Sequence, residues 1–278
     1  MDTTKIDNSI KLLQKAEKLA LAMQPNEGFH LSFSGGKDSQ TILELAKMAG
    51  IKYKAYYYAT TIDPAENVSF IKQYYPDVTF LVPKESFLHL VSKKGLPTRQ
   101  HRFCCTILKE TQGLGSVVLT GVRKEESTKR QQYAPLTKYT KKKEERKPVF
   151  LNEMEQNQFQ CVNGSDKFLL HPILEWSTMD VLDFLSGQKI PQNPCYIKNK
   201  RVGCSICPFA PRIQNIKYLE THPKFKAALI SSIGKYLSKS KKYNTWSPED
   251  CLNWWTSGKS LEEYFSEKKQ LTLNFPIS

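Results

Sequence analysis

Hydrophobic and polar positions follow two patterns along the chain: long stretches with helical spacing, and short apolar runs. Residues 5–23 repeat apolar side chains every three or four positions, which predicts an amphipathic helix. Pro25 and Gly28 follow and predict a break in the chain. Short runs rich in aromatic and branched residues then predict four strands, at 29–33, 53–59, 78–82 and 117–121.

Helical patterns follow these strands, and the alternation decides the fold class. The helical spacing is clear at 66–75 and again after Ser86. Strands that alternate with helices form a parallel sheet whose faces the helices cover. We therefore expect an α/β fold built on a doubly wound, mostly parallel sheet. Ligands of such sheets bind beyond the carboxyl ends of the strands.

The second half of the chain has a different character. Residues 138–147 are charge-rich and predict an exposed loop, whereas 191–211 are rich in Pro and Cys and predict an irregular segment. Helical spacing returns over 212–265. We expect one domain over 1–211 that includes the cysteine-bearing segment, and a helical extension over 212–278 packed on it. Between the charge-rich loop and the segment rich in Pro and Cys, we expect two short strands, at 148–151 and 168–171, and a helix at 178–185.

Composition and charge narrow the class of protein. The 278 residues are 40% hydrophobic and 24% charged, which are ordinary values for a globular protein. No apolar run approaches the ~18–20 residues of a membrane span, and residues 1–4 lack the pattern of a secretion signal. We therefore expect a cytoplasmic protein with no membrane partner. The formal net charge of +14 favours a polyanionic partner, with a merely basic surface as the alternative.

The first predicted strand runs into a glycine-rich loop at 34–39, Ser-Gly-Gly-Lys-Asp-Ser, and a helix follows. Adjacent glycines let the backbone approach an anion, and the N–H groups of a helix N-terminus attract it. Ser34 and Ser39 add hydroxyl donors, and Lys37 adds a positive charge. Asp38 suits Mg²⁺ or a structural role in the loop. The spacing fits neither a Walker A loop nor a dinucleotide fingerprint.

Seven cysteines are present, and four of them form two tight pairs. Cys104 and Cys105 are adjacent, while Cys204 and Cys207 form a Cys-x-x-Cys motif that precedes a proline. An odd number of cysteines argues against a disulfide framework, and clustered thiols in a reducing compartment hold metal or do chemistry. Four thiolates suit either an iron–sulfur cluster or zinc, and buried or free thiols are the plainer alternative.

Taken together, these motifs resemble the phosphoadenosine phosphosulfate reductase family of the PP-loop ATP pyrophosphatases. The loop at 34–39 matches the family's Ser-Gly-Gly-x-Asp-Ser pattern. The other matching segments are 104–105 with 108–110, 121–123, 126–127 with Arg130, 172–176 with Asp180, and 201–209. The resemblance implies an adenine nucleotide alpha hydrolase-like fold. For members with this cysteine pattern it implies a [4Fe–4S] cluster, with zinc as the alternative, on Cys104, Cys105, Cys204 and Cys207.

The resemblance also implies which side chains surround an adenine nucleotide. In the family the Gly-x-Arg segment, here Gly121 to Arg123, lines the nucleotide site, where a guanidinium group offers phosphate a planar fork of donors. We expect ATP or an adenylyl nucleotide, with Mg²⁺, and catalysis by Lys37, Asp38 and Arg123. The expected nucleotide-binding residues are Ser34, Gly35, Gly36, Lys37, Asp38, Ser39, Thr60, Gly121, Arg123 and Arg130.

The sequence departs from the family's reductases near its end. Those enzymes carry a catalytic cysteine in a Glu-Cys-Gly-Leu-His-like tail, whereas residues 271–278 contain no cysteine. Cys251 lies in a predicted helix, where we expect it to face the core and to be inert. The resemblance therefore favours relatives that cleave ATP between the α- and β-phosphates to adenylylate a substrate and then pass on sulfur, some to DNA and others to transfer RNA.

Three functional hypotheses follow. The first is a sulfur-transfer enzyme, with DNA or RNA as a candidate acceptor and a sulfur donor such as a cysteine desulfurase as a candidate partner. The second is a sulfonucleotide reductase whose thiol comes from Cys161, Cys195 or an external protein. The third is a nucleic-acid-binding protein that holds a nucleotide without turnover. Basic residues at 138–147 and 235–242 are candidate nucleic-acid contacts.

Overall fold

The structure is a computed structural model that describes residues 3–140, 147–156, 165–198, 202–239, 246–264 and 266. The chain divides into two compact units. The first unit comprises residues 1–59, 63–82 and 111–203, and the second comprises 60–62, 83–110 and 204–278. Each unit is described by itself below.

Within the described residues, the first unit contains a six-stranded sheet. Its strands are β1 (Phe29–Ser32), β2 (Tyr53–Tyr58), β3 (Thr79–Leu81), β4 (Ser116–Leu119), β5 (Leu136–Lys138) and β6 (Lys167–Leu170). They lie in the order β3-β2-β1-β4-β6-β5, and the neighbouring pairs are parallel apart from β5 with β6. The predicted α/β fold with a mostly parallel sheet is confirmed, and the four strands predicted from apolar runs are β1 to β4.

Helices alternate with the strands as the sequence predicts. In chain order they are α1 (Thr3–Met23), α2 (Lys37–Ala49), α3 (Ala65–Tyr74), α4 (Phe87–Lys94), α5 (Phe103–Cys105), α6 (Leu151–Gln156), α7 (Thr178–Gly187), α8 (Cys195–Lys198), α9 (Arg212–Thr221), α10 (Pro223–Leu237) and α11 (Pro248–Ser257). A π-helical turn, Thr106–Glu110, continues α5. None of the described helices combines the length and the apolar character that a membrane crossing requires.

The core of the first unit joins α1, β1 and α7. Leu13 and Leu19 of α1, Phe29 and Leu31 of β1, and Phe184 of α7 are all fully buried in one cluster. Burying side chains of this size contributes roughly 1.5–3 kcal/mol each. This packing fixes β1, and with β1 the loop that follows it.

The strand order places a binding crevice at the end of β1. That strand lies between β2 and β4, so the chain winds in opposite directions on its two sides. Ligands of open α/β sheets bind at such a switch point, beyond the carboxyl ends of the strands. The loop at 34–39 follows β1, and the segment at 120–123 follows β4. Both predicted nucleotide segments therefore leave the sheet at this crevice.

The second unit is built on helices from distant parts of the chain. Phe87 and Val91 of α4 pack in one apolar cluster with Leu229 and Ile233 of α10. Because these two helices bury each other's apolar faces, 83–110 joins the C-terminal helices in one compact unit. We expected one boundary at residue 211, whereas each compact unit combines several segments that lie apart in the chain.

Two local differences concern the segments on either side of the charge-rich loop. The sequence predicts a short strand at 148–151, but Leu151 begins α6, and Pro148 makes a single bridge to Thr137. Thr137 lies in β5, which the sequence pattern did not predict. β5 is three residues long and pairs with β6 at the edge of the sheet, so its apolar run is too short to identify as a strand.

Candidate functional site

The loop at 34–39, named the phosphate loop here, adopts a conformation that depends on glycine. Gly35 has φ +75°, and a Cβ at this position would lie 2.6 Å from Oδ1 of Asn67 and 2.9 Å from Ile71. Gly36 is the N-cap of α2, and no side chain occupies the cap position. The backbone can therefore present the first N–H groups of α2 to an anion at close range.

Two serine hydroxyls close the phosphate loop from inside. The Ser39 hydroxyl, which is buried, donates to the carbonyl of Gly36 at 2.8 Å and accepts from the N–H of Ser34 at 3.2 Å. The Ser34 hydroxyl lies 3.1 Å from that of Ser39 and accepts from the N–H of Gly36 at 3.3 Å. Both serines hold the loop's own backbone, which is a structural role in addition to the phosphate contact that we expected.

Two buried asparagines support the loop from neighbouring segments. The Asn67 side chain, at the start of α3, donates to the carbonyl of Ser34 at 3.2 Å. The Asn193 side chain donates to the carbonyl of Gly35 at 2.8 Å and to Oδ1 of Asn67 at 2.7 Å. Asn193 is 0% exposed and Asn67 is 2% exposed. Buried amides that are paired in this way fix the loop in one arrangement.

Tyr196 meets the N-terminus of α2. Its hydroxyl accepts a hydrogen bond from the N–H of Lys37 at 2.9 Å. Burial raises the pKa of Tyr196 to about 12, so the hydroxyl keeps its proton at neutral pH. Because it also retains a proton to donate, this hydroxyl is placed to hydrogen-bond an anion at the same helix end.

Charged side chains form a chain of ion pairs at the same place. The Lys37 ammonium lies 2.8 and 2.9 Å from the two carboxylate oxygens of Asp38. Nε of Arg123 donates to Oδ1 of Asp38 at 2.8 Å, and Nη1 of Arg123 donates to Oε2 of Glu125 at 2.8 Å. Arg123 is 3% exposed. A buried guanidinium needs such partners, because an unpaired charge in the interior is very costly.

Thr178 completes this network from the first turn of α7. Its hydroxyl accepts from Nη1 of Arg123 at 3.2 Å and donates to Glu125 at 3.0 Å. The hydroxyl and the N–H of Thr178 both donate to Glu125, and together with Arg123 they hold the pKa of that carboxyl below its usual range. Sequence analysis missed Glu125 and Thr178, although both lie beside predicted family segments.

Gly121 and Arg130, both predicted at the nucleotide site, have distinct surroundings. A Cβ at Gly121 would lie 2.8 Å from Cβ of Asp38, so the absence of a side chain lets the segment after β4 pass close to the phosphate loop. Arg130 forms an ion pair with Glu126, whose carboxylate also accepts from the N–H of Arg123 at 3.3 Å. The first unit therefore brings together Lys37, Asp38, Gly121 and Arg123 directly, and Arg130 through Glu126.

The four paired cysteines, named the cysteine group here, all belong to the second unit. The Cys104 thiol donates a hydrogen bond to Cys105, and this bond lowers the pKa of Cys105 to about 6, with Lys109 and Arg102 adding to the effect. The same interaction and burial raise the pKa of Cys104, to which Cys204 also contributes. Nζ of Lys109 lies 3.8 Å from Sγ of Cys204. Three of the four thiols therefore interact electrostatically.

Side chains of the second unit contact the segment that carries Cys204 and Cys207. The N–H of Cys207 donates to Oδ1 of Asn215 at 3.0 Å, and the Asn215 amide donates back to the carbonyl of Cys207 at 2.9 Å. Sγ of Cys204 lies 3.6 Å from Oγ1 of Thr60. Thr60, which we expected at the nucleotide, thus contacts a cysteine in this unit. Thr61 has φ +64°, an unusual conformation for a β-branched residue.

The donor set of the cysteine group suits an iron–sulfur cluster or zinc, because thiolates are soft ligands and a neighbouring cation favours the thiolate form. Within the part of the chain that the structure describes, no three Cys, His, Asp or Glu side chains converge closely enough to hold a metal ion. The assignment of these four cysteines as ligands therefore stays a prediction. Three parts of the chain that carry predictions lie outside the described residues: Cys161, and the ranges 141–146 and 240–245, which overlap the two basic segments.

Comparison with known proteins decides the family. Residues 28–210 match the phosphoadenosine phosphosulfate reductase domain, which is well over half of the chain. The chain belongs to this family. The match includes the phosphate loop, the segment at 121–123 and all four residues of the cysteine group, so the resemblance in the sequence is confirmed.

Two relatives of this family member come from Methanocaldococcus jannaschii. The uncharacterized protein MJ0973 is 25% identical over 282 residues, which cover 94% of this chain and 61% of that protein. The uncharacterized protein MJ0066 is 26% identical over 238 residues, which cover 81% of this chain and 45% of that protein. The chain thus spans less than two thirds of the length of either relative.

Solved structures resemble the family member only in part. A Candida glabrata FMN adenylyltransferase has 15% identity and a TM-score of 0.45 over 74% of this chain and 66% of that one. A Candida auris phosphoadenylyl-sulfate reductase has 18% identity and a TM-score of 0.43, over 73% and 96% of the two chains. The U34-tRNA thiolase NcsA from Methanococcus maripaludis, solved with its [4Fe-4S] cluster, has 12% identity and a TM-score of 0.44, over 85% and 80%.

The family pattern did not reveal the residues that hold the phosphate loop from a distance. Asn67, Asn193 and Tyr196 lie 28 or more positions beyond the loop, and none belongs to the segments that carry the resemblance. One signal was available: Asn193 and Tyr196 stand in a Pro-rich stretch, Pro-Gln-Asn-Pro-Cys-Tyr, within a segment without helical or strand periodicity. Polar residues in such a stretch are candidates for contacts with another segment.

Proposed function

We propose that this protein binds ATP or a related adenylyl nucleotide at the phosphate loop and activates a substrate by adenylylation, in support of sulfur transfer. The observation that carries the proposal is the network of Lys37, Asp38 and Arg123 at the N-terminus of α2, which groups two cations and one carboxylate where phosphates bind. Membership of the phosphoadenosine phosphosulfate reductase domain family supports an adenine nucleotide at this place.

The residues of the first unit have separate roles in this reaction. Lys37 and Arg123 neutralise the charge of the phosphates, and the N–H groups of the loop bind their oxygens. Asp38 accepts bonds from both cations, and a carboxylate has about four acceptor positions, so it can also bind the Mg²⁺ that accompanies the nucleotide. Glu125 and Thr178 orient Arg123 and do not touch the nucleotide.

The chemistry balances without an oxidant. An oxygen of the acceptor forms a bond to the α-phosphorus, and the bond from that phosphorus to the bridging oxygen breaks, which releases pyrophosphate. Sulfur at the level of hydrosulfide then replaces the adenylylated oxygen, and AMP leaves with that oxygen. The protein supplies positioning and charge neutralisation for the first step.

The cysteine group has a supporting role in the proposal. A [4Fe–4S] cluster on Cys104, Cys105, Cys204 and Cys207, when bound, would anchor or donate sulfur. The low pKa of Cys105 and the nearby ammonium of Lys109 support thiolates at this place. A donor such as a cysteine desulfurase would renew the sulfur as a persulfide, and a dithiol would have to supply the two electrons that bring this sulfur to the hydrosulfide level. DNA or RNA is the proposed acceptor because the chain is strongly basic.

A sulfonucleotide reductase is the second candidate, and the family match favours it as well. Sulfonate oxygens would bind the same cations. This reaction needs a thiol that attacks sulfur, and the described thiols outside the cysteine group are poorly suited. Cys195 is 4% exposed, and burial raises the pKa of Cys251 to about 11. Cys161, which lies outside the described residues, or a partner thiol would therefore have to supply the electrons.

An assay with radioactive sulfur distinguishes the two candidate functions. The anaerobically purified protein is incubated with ATP, Mg²⁺, labelled sulfide and bulk transfer RNA or DNA. The proposal expects label in nucleic acid that depends on ATP and is lost in Asp38→Asn. Release of sulfite from adenylyl sulfate or its 3′-phosphate, with a dithiol and without ATP, would establish the reductase instead. A bound nucleotide that is never turned over would overturn both.

A further inference from the structure

A phenylalanine lies on the surface of the second unit between two arginines. Phe209 is 42% exposed. The guanidinium carbon of Arg102 lies 5.3 Å from the centre of its ring, and that of Arg99 lies 6.0 Å away. Both distances fall within the range of a cation–π contact. The second unit therefore presents an exposed aromatic ring together with two guanidinium groups.

The backbone holds these three side chains together. Nε of Arg99 donates to the carbonyl of Pro208 at 3.1 Å, which ties Arg99 to the residue just before the ring. Among the described residues, the acidic neighbour of Arg102 is Glu110, at 3.8 Å, which is near the limit of an ion pair. With respect to the described part of the chain, most donors of the two guanidinium groups can therefore bind a ligand.

The same segments carry the cysteine group. Arg102 directly precedes α5, which contains Cys104 and Cys105, and Phe209 comes two residues after Cys207. The segments 99–109 and 204–209 of the second unit therefore carry both the cysteine group and the ring with its two arginines.

The charge of the second unit favours an anionic ligand. The unit contains 17 Lys and Arg against 8 Asp and Glu, a net charge of +9 in about 106 residues, whereas the larger first unit carries the remaining +5. A positive charge of this density attracts phosphate backbones and disperses their counterions. A ring that accepts stacking between two phosphate-binding groups fits a nucleotide chain better than it fits an acidic peptide, because a peptide seldom offers a flat π face.

We propose that Phe209 is a stacking platform for one unpaired base of a nucleic acid, and that Arg99 and Arg102 bind the phosphates on either side of it. The ligand is single-stranded or looped-out RNA or DNA, since the faces of paired bases in a duplex are covered by their neighbours. The inference rests on the proposed function for its purpose, because a nucleic-acid acceptor is part of that proposal.

The test measures binding of a labelled 12-nucleotide single strand, as RNA and as DNA, by fluorescence anisotropy with the full chain and without ATP. Phe209→Leu is expected to weaken binding by about tenfold or more, and Phe209→Trp is expected to restore it to within about threefold, since a base stacks on either ring. Arg102→Gln is expected to weaken binding and to reduce the slope of log affinity against log salt by about one.

Phe150→Leu is the matched control, because Phe150 is 63% exposed and has no arginine within cation–π distance among the described residues. It is expected to bind the strand like the unchanged protein. Inorganic polyphosphate serves as a polyanion without bases, and its binding is expected to fall with Arg102→Gln and to be unaffected by Phe209→Leu. A preference for RNA over DNA, or the reverse, identifies which nucleic acid is the ligand.

Several results would overturn the inference. Equal binding of the single strand by Phe209→Leu and the unchanged protein would show that charge alone attracts the strand. A loss confined to Phe150→Leu would place the strand near residue 147 instead. Binding of a fully paired duplex with the same dependence on Phe209 would exclude an unpaired base. Pyrophosphate release from ATP, measured on the same variants, separates this failure from a failure of the proposed function, because Phe209 lies outside the phosphate loop.

Discussion

The phosphate loop and the cysteine group are held in different ways. In the loop, the backbone at Ser34, Gly35, Gly36 and Lys37 bonds to side chains of its own unit, including Tyr196. In the cysteine group three thiols influence one another, yet no three ligating side chains of the described residues are close enough for a metal. The protein's own hydrogen bonds complete the first site, and a metal would have to complete the second.

This difference predicts different responses to ligands. A preformed anion site loses little entropy when its ligand binds, so its variants should change nucleotide affinity and rate more than folding. A thiolate site gains its final geometry from the metal, so its variants should change metal content and the stability of the second unit together. The following experiments test this contrast, beginning with the largest expected effect.

Replacement of Cys204 by Ser should remove the cluster altogether. A serine oxygen is a poor ligand for iron, so the iron content after anaerobic purification should fall from about four per chain to near zero. Cys251→Ser is the matched control, because Cys251 lies in α11 outside both cysteine pairs, and burial alone raises the pKa of its thiol. One zinc per chain, or equal iron in both variants, would contradict the ligand assignment.

Arg123→Ala should cause the next largest loss. Its removal leaves Asp38 and Glu125 without the guanidinium group that bridges them, which should lower the unfolding free energy. Pyrophosphate release from ATP should fall by about 100-fold, as for other groups that stabilise transition-state charge. Lys124→Ala removes an exposed pair with Glu175 and should change neither quantity measurably. Equal rates in the two variants would remove Arg123 from the mechanism.

Gly35→Ala should disturb the loop more than Gly50→Ala disturbs the end of α2. Both glycines have positive φ, +75° and +66°, but a Cβ at Gly50 meets nothing within 4 Å. In the Gly50 variant, the unfolding free energy should fall only by the cost of the left-handed conformation, about 1–2 kcal/mol. In Gly35→Ala it should fall further, because the added Cβ collides with Asn67. Chemical denaturation measures both losses. A similar loss in the two variants would mean that the loop adapts freely.

Tyr196→Phe should weaken nucleotide binding modestly. The variant loses the hydroxyl that is placed to donate to a phosphate beside the N–H of Lys37, which should cost about 1 kcal/mol, or roughly a fivefold rise in the KM for ATP. Tyr75→Phe is the matched control, since the Tyr75 hydroxyl accepts a buried hydrogen bond from Gln40 at 2.7 Å, away from the phosphate loop. It should lower stability by a similar amount and leave the KM unchanged. A rise in KM in both variants would indicate a general loss of folding.

Replacement of Asp180 should have the smallest effect. Asp180 lies in α7, the helix that carries Thr178, and the quantity that changes is the unfolding free energy. Hydrogen bonds from Lys5 and Ser177 hold the pKa of Asp180 at about 2, below the ordinary 3.8. Because the folded pKa is the lower one, the carboxylate stabilises the fold fully above about pH 4 to 5 and loses this contribution as the pH falls toward 2. The difference in unfolding free energy between the unchanged protein and Asp180→Asn should shrink over that window. Asp183→Asn, an exposed change on the same helix, should show no such difference.

The sequence alone predicted the parts of the site that depend on local chemistry. The phosphate loop could be predicted because two adjacent glycines between a strand and a helix let the backbone approach an anion at the helix N-terminus. The close approach of Gly121 to Asp38 could not be predicted, since it depends on how two strands lie side by side. The same holds for Asn193, whose contact with Gly35 joins positions 158 residues apart. Contacts of this kind follow from topology and not from spacing along the chain.

The fold shows the same limit. Repeated apolar runs predicted β1 to β4, because buried parallel strands are almost wholly apolar. The second unit was not predicted, since its core joins α4 with α10 and these helices lie far apart in the sequence. The domain boundary at 211 stays a prediction, and it rests on neighbours in sequence, whereas the compact units combine segments that lie far apart in the chain.

The proposed function depends on cleavage of ATP between its α- and β-phosphates at the phosphate loop. Separation of the products of labelled ATP, after incubation with the anaerobic protein, Mg²⁺ and nucleic acid, measures this step. We expect AMP and pyrophosphate in equal amounts, and the loss of both in Asp38→Asn. ADP and inorganic phosphate, or unchanged ATP that stays bound to the protein, would contradict it.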